Sequence, residues 1–107
     1  MTGSIKAVEH PRTILTSSYG TANYTRYGNV VSVHADLNIT SALSADAVIA
    51  TGLPVPLDAT NSYKVNQGFL VSATTTSRIY VGGDGKLKAS STSLTGYCAV
   101  QLTYICA

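Results

Sequence analysis

The chain has 107 residues, 45% of them hydrophobic, and carries 7 Lys+Arg against 5 Asp+Glu. This length suits one domain, so we expect residues 1–107 to form a single unit. The weak net charge of +2 argues against a nucleic-acid partner, normal apolar content argues against disorder, and apolar runs of at most four residues argue against membrane insertion.

The amino-terminal segment lacks the apolar core that a signal peptide carries. We therefore expect a chain that is made and kept in a cytosol, or a fragment of something longer. Residues 1–20 are interpreted as an extended N-terminal arm or as a connection to a longer protein.

The clearest periodicity runs from Val31 to Ile39, where every second residue is apolar and its neighbours are polar. This period of two predicts a long, half-buried antiparallel strand. The preceding residues 24–27 predict a short strand. Gly28-Asn29 fits a two-residue hairpin turn between them, with glycine supplying a positive φ.

The middle of the chain alternates short strands with breakers. Residues 41–47 predict a loop or a single helical turn, and residues 48–51 predict a brief strand. The segment 53–58 contains Pro54 and Pro56, which cannot donate hydrogen bonds to a ladder. We expect it to run along an edge or to cross between sheets.

Further strand-like runs follow the prolines. Residues 63–65 and 68–74 predict another pair of strands, with a loop at Asn66-Gln67. Residues 77–89 predict two strands around Gly82-Gly83-Asp84-Gly85, because a glycine-rich turn between two strand-like runs is typical of a hairpin.

The last strand is predicted over residues 97–106, after a break at Thr95-Gly96. One of its faces is apolar throughout and consists of Cys98, Val100, Leu102, Tyr104 and Cys106. The opposite face is half apolar, which predicts partial cover by a neighbouring subunit.

The two cysteines belong to that strand. Cys98 and Cys106 are eight residues apart, or about 26 Å along a strand, whereas a disulfide needs Cα atoms about 5.5 Å apart. We expect two free, buried thiols that act as small hydrophobes. An interchain bridge through Cys106 is the alternative.

These runs add up to seven or eight strands at about ten-residue spacing, with turn residues between them. The spacing predicts an all-β fold, a compact antiparallel β-sandwich or small barrel.

Signals of catalysis are scarce. Glu9 is the single glutamate, and no metalloprotease, C-x-x-C, P-loop or serine-hydrolase motif is present. A cysteine could pair with His34, but both cysteines alternate with core residues, where a thiol is inert. The lone carboxylate of Asp84 lacks the additional oxygen ligands that Ca²⁺ takes. We expect no enzyme activity, no cofactor and no metal.

His34 and Asp36 are the candidate site residues on the long strand. Their spacing of two places imidazole and carboxylate on the same face, which the alternation predicts to be solvent-exposed. One interpretation is a pair of polar side chains on an exposed sheet. The other is a ligand site in which the carboxylate accepts hydrogen bonds from sugar hydroxyls and the imidazole donates or accepts one.

Tyrosine is the main aromatic residue of the chain. Tyr104 falls on the predicted core face. Tyr24, Tyr27 and Tyr80 are candidates for an interface or for stacking on sugar rings, since tyrosine combines an apolar ring with a hydroxyl. Ordinary packing in strands is the alternative for each.

Three pieces, taken in order, carry a family resemblance. They are Tyr-Thr-Arg-Tyr-Gly-Asn-Val-Val-Ser-Val at 24–33, the Leu53-Pro54 crossing with Pro56 soon after, and the hairpin and closing strand from Ile79 to Ile105. Together they resemble the C-terminal head domains of bacteriophage tail-fibre, baseplate and receptor-binding proteins.

The resemblance implies a homotrimer in the virion that contacts other tail or baseplate proteins and binds host surface polysaccharide. Heads of this family often bind through Asp, His, Arg and aromatic residues, which here selects His34, Asp36 and Arg78. The chain has no Trp, the commonest residue for stacking on sugars.

We therefore expect a non-enzymatic receptor-binding head. The alternative is a structural, trimerising module of a tail, baseplate or capsid decoration that has no ligand. A small hydrolase is a third class, for which the sequence offers no convincing acid, base or nucleophile.

Overall fold

The computed structural model describes residues 12–58, 60, 66–90 and 92–107. The strands are β1 (Thr13–Ile14), β2 (Gly20–Tyr27), β3 (Val30–Ile39), β4 (Val48–Thr51), β5 (Gln67–Val71), β6 (Thr76–Val81), β7 (Lys86–Ala89) and β8 (Gly96–Ile105). They form one antiparallel sheet in the order β1-β2-β3-β8-β5-β6-β7-β4. The described residues contain no helix, and the predicted all-β fold is confirmed.

The sheet curls into a half-barrel, and its two outer edges approach each other. Thr16, just after β1, forms an antiparallel bridge with Thr51 of β4, with N–H···O distances of 3.1 and 2.9 Å. The hydroxyl of Ser17 also donates to the Ile49 carbonyl at 2.7 Å. The described part of the segment interpreted as an arm therefore contributes to the sheet.

The core lies on the concave face. Its largest fully buried side chains are Ile39, Ile49, Leu70, Ile79, Leu87, Val31, Val33, Val81, Pro56 and Cys106. The alternation in β3 explains why one face of that strand is buried and the other exposed, as the sequence predicts.

Both predicted hairpins are confirmed. Tyr27 and Val30 are opposite residues of β2 and β3, and Gly28 between them has a φ of 59°. In the β6–β7 turn, the amide of Gly82 donates to the Lys86 carbonyl at 2.9 Å, and Gly85 has a φ of 75°. Left-handed backbone of this kind favours glycine.

The predicted loop at Asn66-Gln67 is wrong at its second residue, because Gln67 begins β5. The predicted strand 68–74 ends early, at Val71, because residues 72–75 form a turn in which the Ser72 amide donates to the Thr75 carbonyl at 2.8 Å. The strand predicted over 63–65 lies outside the described residues. Residues 41–47 form a loop, and the strand at 48–51 is confirmed.

The proline segment runs beside the end of β8. Leu57 donates to the Ile105 carbonyl and Ala107 donates to the Val55 carbonyl, both at 2.9 Å, and Pro56 lies opposite Cys106. The amides used here belong to non-proline residues, so the missing N–H groups of the two prolines cost no bond in this pairing. The segment thus runs along one side of the end of β8, beyond the point where β5 pairs with that strand.

The predicted faces of β8 are also correct. The apolar face from Cys98 to Cys106 is buried, and the residues between are exposed or half-buried. Both cysteines are free and buried, as expected. Burial raises the pKa of the Cys98 thiol above its usual value.

Candidate functional site

The outer face of β3 presents three exposed polar side chains, those of His34, Asp36 and Asn38. His34 and Asp36 share one face as predicted, with Cα atoms about 7 Å apart. Within the described part of the chain, neither side chain makes a hydrogen bond or an ion pair. Both polar groups are therefore available to a ligand from solvent.

The register of the sheet determines what lies beside them. Asp36 lies between Thr21 of β2 and Ala99 of β8, and Asn38 lies directly opposite Tyr97. Tyr97 is 82% exposed, so one face of its ring is open. Directly opposite residues in an antiparallel pair have Cβ atoms about 5 Å apart, which brings an amide next to an aromatic ring.

A groove of about 460 Å³ opens at this end of the sheet. Its lining includes the polar and aromatic residues Tyr19, Thr21, Asp36, Asn38, Ser72 and Tyr97. The groove arises where β5 leaves β8, because their pairing ends at Val71 and Ala99. Beyond that point β5 turns away at Ser72, which leaves Tyr97 without a partner from β5.

Arg78 lies on the same outer face of the sheet as His34 and Asp36, but far from them. A row of opposite residues crosses the sheet from His34 through Gln101 and Phe69 to Arg78. Three strand spacings separate its two ends, or about 14 Å along the sheet. The Arg78 guanidinium lies 3.5 Å from the Oε1 of Gln67. The structure thus brings His34 and Asp36 together and places Arg78 apart from them.

The tyrosines singled out in the sequence differ in how deeply they are buried. Tyr80 is buried, its hydroxyl donates to the Asp46 carboxylate, and burial together with that carboxylate raises the pKa of Tyr80 to about 12. It cannot stack on a ligand. Tyr24 is half-buried against the core, Tyr27 is 50% exposed, and Tyr104 lies in the core as predicted.

The sequence did not predict that Asn38 and Tyr97 lie side by side at the groove. The alternation in β8 places Tyr97 on its outer face, but no sequence pattern shows that Asn38 is opposite. That relation comes from the β3–β8 register.

The cysteine–histidine pair considered for catalysis does not form. Cys98 is opposite Leu37 on the buried face, whereas His34 is on the exposed face of the same strand pair. The two groups therefore lie on opposite sides of the sheet.

The Gly-Gly-Asp-Gly turn is stabilised within the chain. Lys88 Nζ lies 3.1 Å from Asp84 Oδ2, and the Lys86 amide donates to Oδ1 at 3.1 Å. Burial opposes ionisation of Asp84, but these two contacts outweigh it and lower its pKa below the usual value. The carboxylate thus acts as a turn residue.

The described residues lack both a cluster of metal ligands and a membrane-spanning helix. No cluster of three or more His, Cys, Asp or Glu side chains suited to a metal ion is present there. In the same residues, no helix has the length and apolar character needed to cross a membrane.

The chain was compared with known protein families, with curated proteins and with solved structures. None of the three comparisons finds a match.

Proposed function

We propose that this chain is a non-enzymatic head domain of a bacteriophage tail or baseplate protein, and that it binds saccharide in the groove beside Asp36 and Tyr97. The observation that carries the binding proposal is the meeting of a carboxylate, an amide and an open aromatic ring at one groove. The phage assignment is supported by the order of the sequence motifs at 24–33, 53–56 and 79–105.

The chemistry of the groove suits a neutral sugar. A carboxylate such as that of Asp36 accepts hydrogen bonds from neighbouring hydroxyls, and the amide of Asn38 both donates and accepts. The ring of Tyr97 offers an apolar face for the C–H side of a sugar ring. In the absence of Trp, Tyr97 is the best-placed aromatic residue for that role.

His34 extends the polar surface along the outer face of the sheet, with Gln101 directly opposite it. A polymer that enters the groove at Asp36 and continues along β3 meets these side chains next. This arrangement favours host surface polysaccharide over a single small sugar.

Binding to a glycan array and to bacterial cells tests the proposal. Tyr97→Ala and Asp36→Asn are expected to weaken binding about tenfold each, a loss of about 1.4 kcal/mol per side chain. The matched control is Asp84→Asn, which removes an exposed carboxylate from the β6–β7 turn. Absence of binding by the unmodified chain, or equal binding by all variants, would contradict the proposal.

The alternative is a structural, trimerising module without a ligand. It is supported by exposed apolar side chains at the other end of the sheet, among them Tyr27 and Ile105. A chain that assembles but binds no glycan or cell supports this alternative.

A further inference from the structure

Phe69 is an exposed aromatic residue near the middle of the outer face of the sheet. Its strand, β5, lies between β8 and β6, and Phe69 is directly opposite Gln101 on one side and Arg78 on the other. Phe69 is 50% exposed, and both of its neighbours are exposed as well. Gln67, two residues earlier on β5, is exposed on the same face. We call Phe69, Arg78, Gln67 and Gln101 the Phe69 subsite.

The ring of Phe69 has polar neighbours. Directly opposite residues of an antiparallel pair have Cβ atoms about 5 Å apart, so an amide lies on one side of the ring and a guanidinium on the other. The phenyl ring has no hydroxyl and offers only its apolar face, which suits the C–H side of a sugar ring. A sugar stacked on Phe69 therefore has hydrogen-bonding groups on both sides.

Arg78 carries a positive charge that the chain leaves without a carboxylate partner. Its guanidinium lies 3.5 Å from Gln67 Oε1 and makes no ion pair with another described residue. The nearby carboxylates have other partners, since Asp46 accepts the hydrogen bond of Tyr80 and Asp84 is paired with a lysine. A guanidinium has five N–H donors. Gln67 uses one of them, and the others are available to a ligand.

We propose that the Phe69 subsite binds an acidic sugar, a uronic acid whose ring stacks on Phe69 and whose carboxylate pairs with Arg78. A carboxylate borne by the stacked ring lies at the edge of that ring, next to the position in which the register places Arg78. A planar carboxylate matches the fork of a guanidinium, so the two form parallel hydrogen bonds. This inference rests on the proposed function and deepens it by naming the charge of the polysaccharide.

The carboxylate of Asp36 in the groove is too distant to repel such a sugar strongly. Three strand spacings and two residues along the strand separate Asp36 from Arg78, or about 16 Å along the sheet. This is about twice the Debye length of about 8 Å at physiological ionic strength. The groove and the Phe69 subsite therefore suit sugars of different charge, and a polymer that fits both contains a neutral and an acidic sugar.

A matched pair of polymers tests the inference. The surface polysaccharide is extracted from a bacterial strain that the full chain binds, and the carboxylates of one portion are reduced to alcohols. The reduced polymer keeps its linkages and loses its negative charge. In calorimetric titrations we expect the untreated polymer to bind about fivefold more tightly or better, because only that form pairs with the guanidinium.

Two variants separate the role of charge from that of stacking. Arg78→Ala is expected to abolish the difference between the polymers, because it weakens binding of the untreated form alone. Phe69→Ala should weaken both forms by a similar factor, since stacking on the ring does not depend on the carboxylate. The matched control is Lys86→Gln, which removes an exposed cation of β7 outside the Phe69 subsite. Circular dichroism checks that each variant is folded.

The possible failures are distinguishable. Absence of binding to any glycan or strain would contradict the proposed function itself. Binding to a polysaccharide that has no carboxylates, or equal affinity for the untreated and reduced polymers, would overturn the acidic sugar and leave saccharide binding in the groove standing. Equal losses for Arg78→Ala and Lys86→Gln would also overturn it, because they would assign the attraction to the net charge of the chain.

Discussion

The hydroxyl of Tyr104 donates a hydrogen bond to the carbonyl of Pro54 at 2.7 Å. Tyr104 is buried on the inner face of β8, and Pro54 belongs to the segment that pairs with the end of that strand. The bond therefore joins the proline segment to the core, in addition to the backbone pairing at Leu57. Burial raises the pKa of Tyr104 well above its usual value, which keeps the hydroxyl protonated as a donor.

Tyr104→Phe is expected to lower the free energy of unfolding by about 1–1.5 kcal/mol, because it removes one buried hydrogen bond and leaves the Pro54 carbonyl without that donor. Urea denaturation measures the change. The matched control is Tyr97→Phe, which removes a hydroxyl from a side chain that is 82% exposed and should change stability by less than about 0.5 kcal/mol. An equal loss in both variants would contradict the assigned role of the bond.

A second tyrosine makes stability depend on pH. The pKa of Tyr80 is raised from 10.0 to about 12 in the folded chain, by burial and by the Asp46 carboxylate. Above pH 10 the unfolded chain loses this proton while the folded chain keeps it. Stability is therefore fully present below about pH 10 and decreases as the pH rises towards 12.

Tyr80→Phe removes that contribution, so its unfolding free energy should fall less steeply than that of the unmodified chain between about pH 10 and 12. Chemical denaturation at several alkaline pH values measures both slopes. Tyr104 contributes a loss of the same sign in both proteins, so the comparison isolates Tyr80. Identical slopes would show that the folded structure does not raise the pKa of Tyr80.

Alternation was sufficient to predict β3 and the inner face of β8, because burial on one face imposes a period of two on the sequence. The two turns were predictable from their glycines. It could not predict which strands pair. The order β3-β8-β5 joins residues distant in sequence, and that pairing alone brings Asn38 to Tyr97 and separates His34 from Arg78. The face on which a side chain lies follows from the pattern of its own strand. A site built from several strands also depends on how those strands pair.

The start of β5 shows the same limit at a single residue. Gly68 is the first residue of the strand predicted over 68–74, and it lies within β5, where a Cβ would come 2.3 Å from the Gln101 carbonyl oxygen and 2.6 Å from Leu102 Cβ. Its lack of a side chain permits the close approach of β5 to β8. No pattern in the neighbouring sequence predicts that contact.

Gly68→Ala is therefore expected to destabilise the chain by about 1–3 kcal/mol, since the methyl group must displace backbone and side-chain atoms of β8. Thermal and urea unfolding measure the loss. Gly28→Asn is the matched control, because a Cβ at Gly28 meets nothing within 4 Å and Asn tolerates its φ of 59° better than other residues do. A smaller loss for Gly68→Ala than for Gly28→Asn would contradict the close approach.

Arg78 lies apart from Asp36 on the sheet. We therefore expect the contribution of Arg78 to ligand affinity to depend on the length of the ligand. A disaccharide held between Asp36 and Tyr97 does not span the roughly 14 Å of sheet from His34 to Arg78. Arg78→Ala should therefore change the dissociation constant of the disaccharide by less than about twofold. A longer chain that crosses Gln101 and Phe69 reaches the guanidinium, so Arg78→Ala should weaken its binding by about fivefold or more, as expected for loss of one charge-assisted hydrogen bond.

Calorimetric titration of an oligosaccharide series, made from the glycan that the array identifies, measures this dependence on length. Asp36→Asn is the reference variant, because it should weaken short and long ligands alike. If Arg78→Ala weakens the disaccharide as much as the long chain, Arg78 lies nearer the groove than the register allows. If it affects neither, the polymer leaves the sheet before Phe69, and the binding surface is confined to β3 and the start of β8.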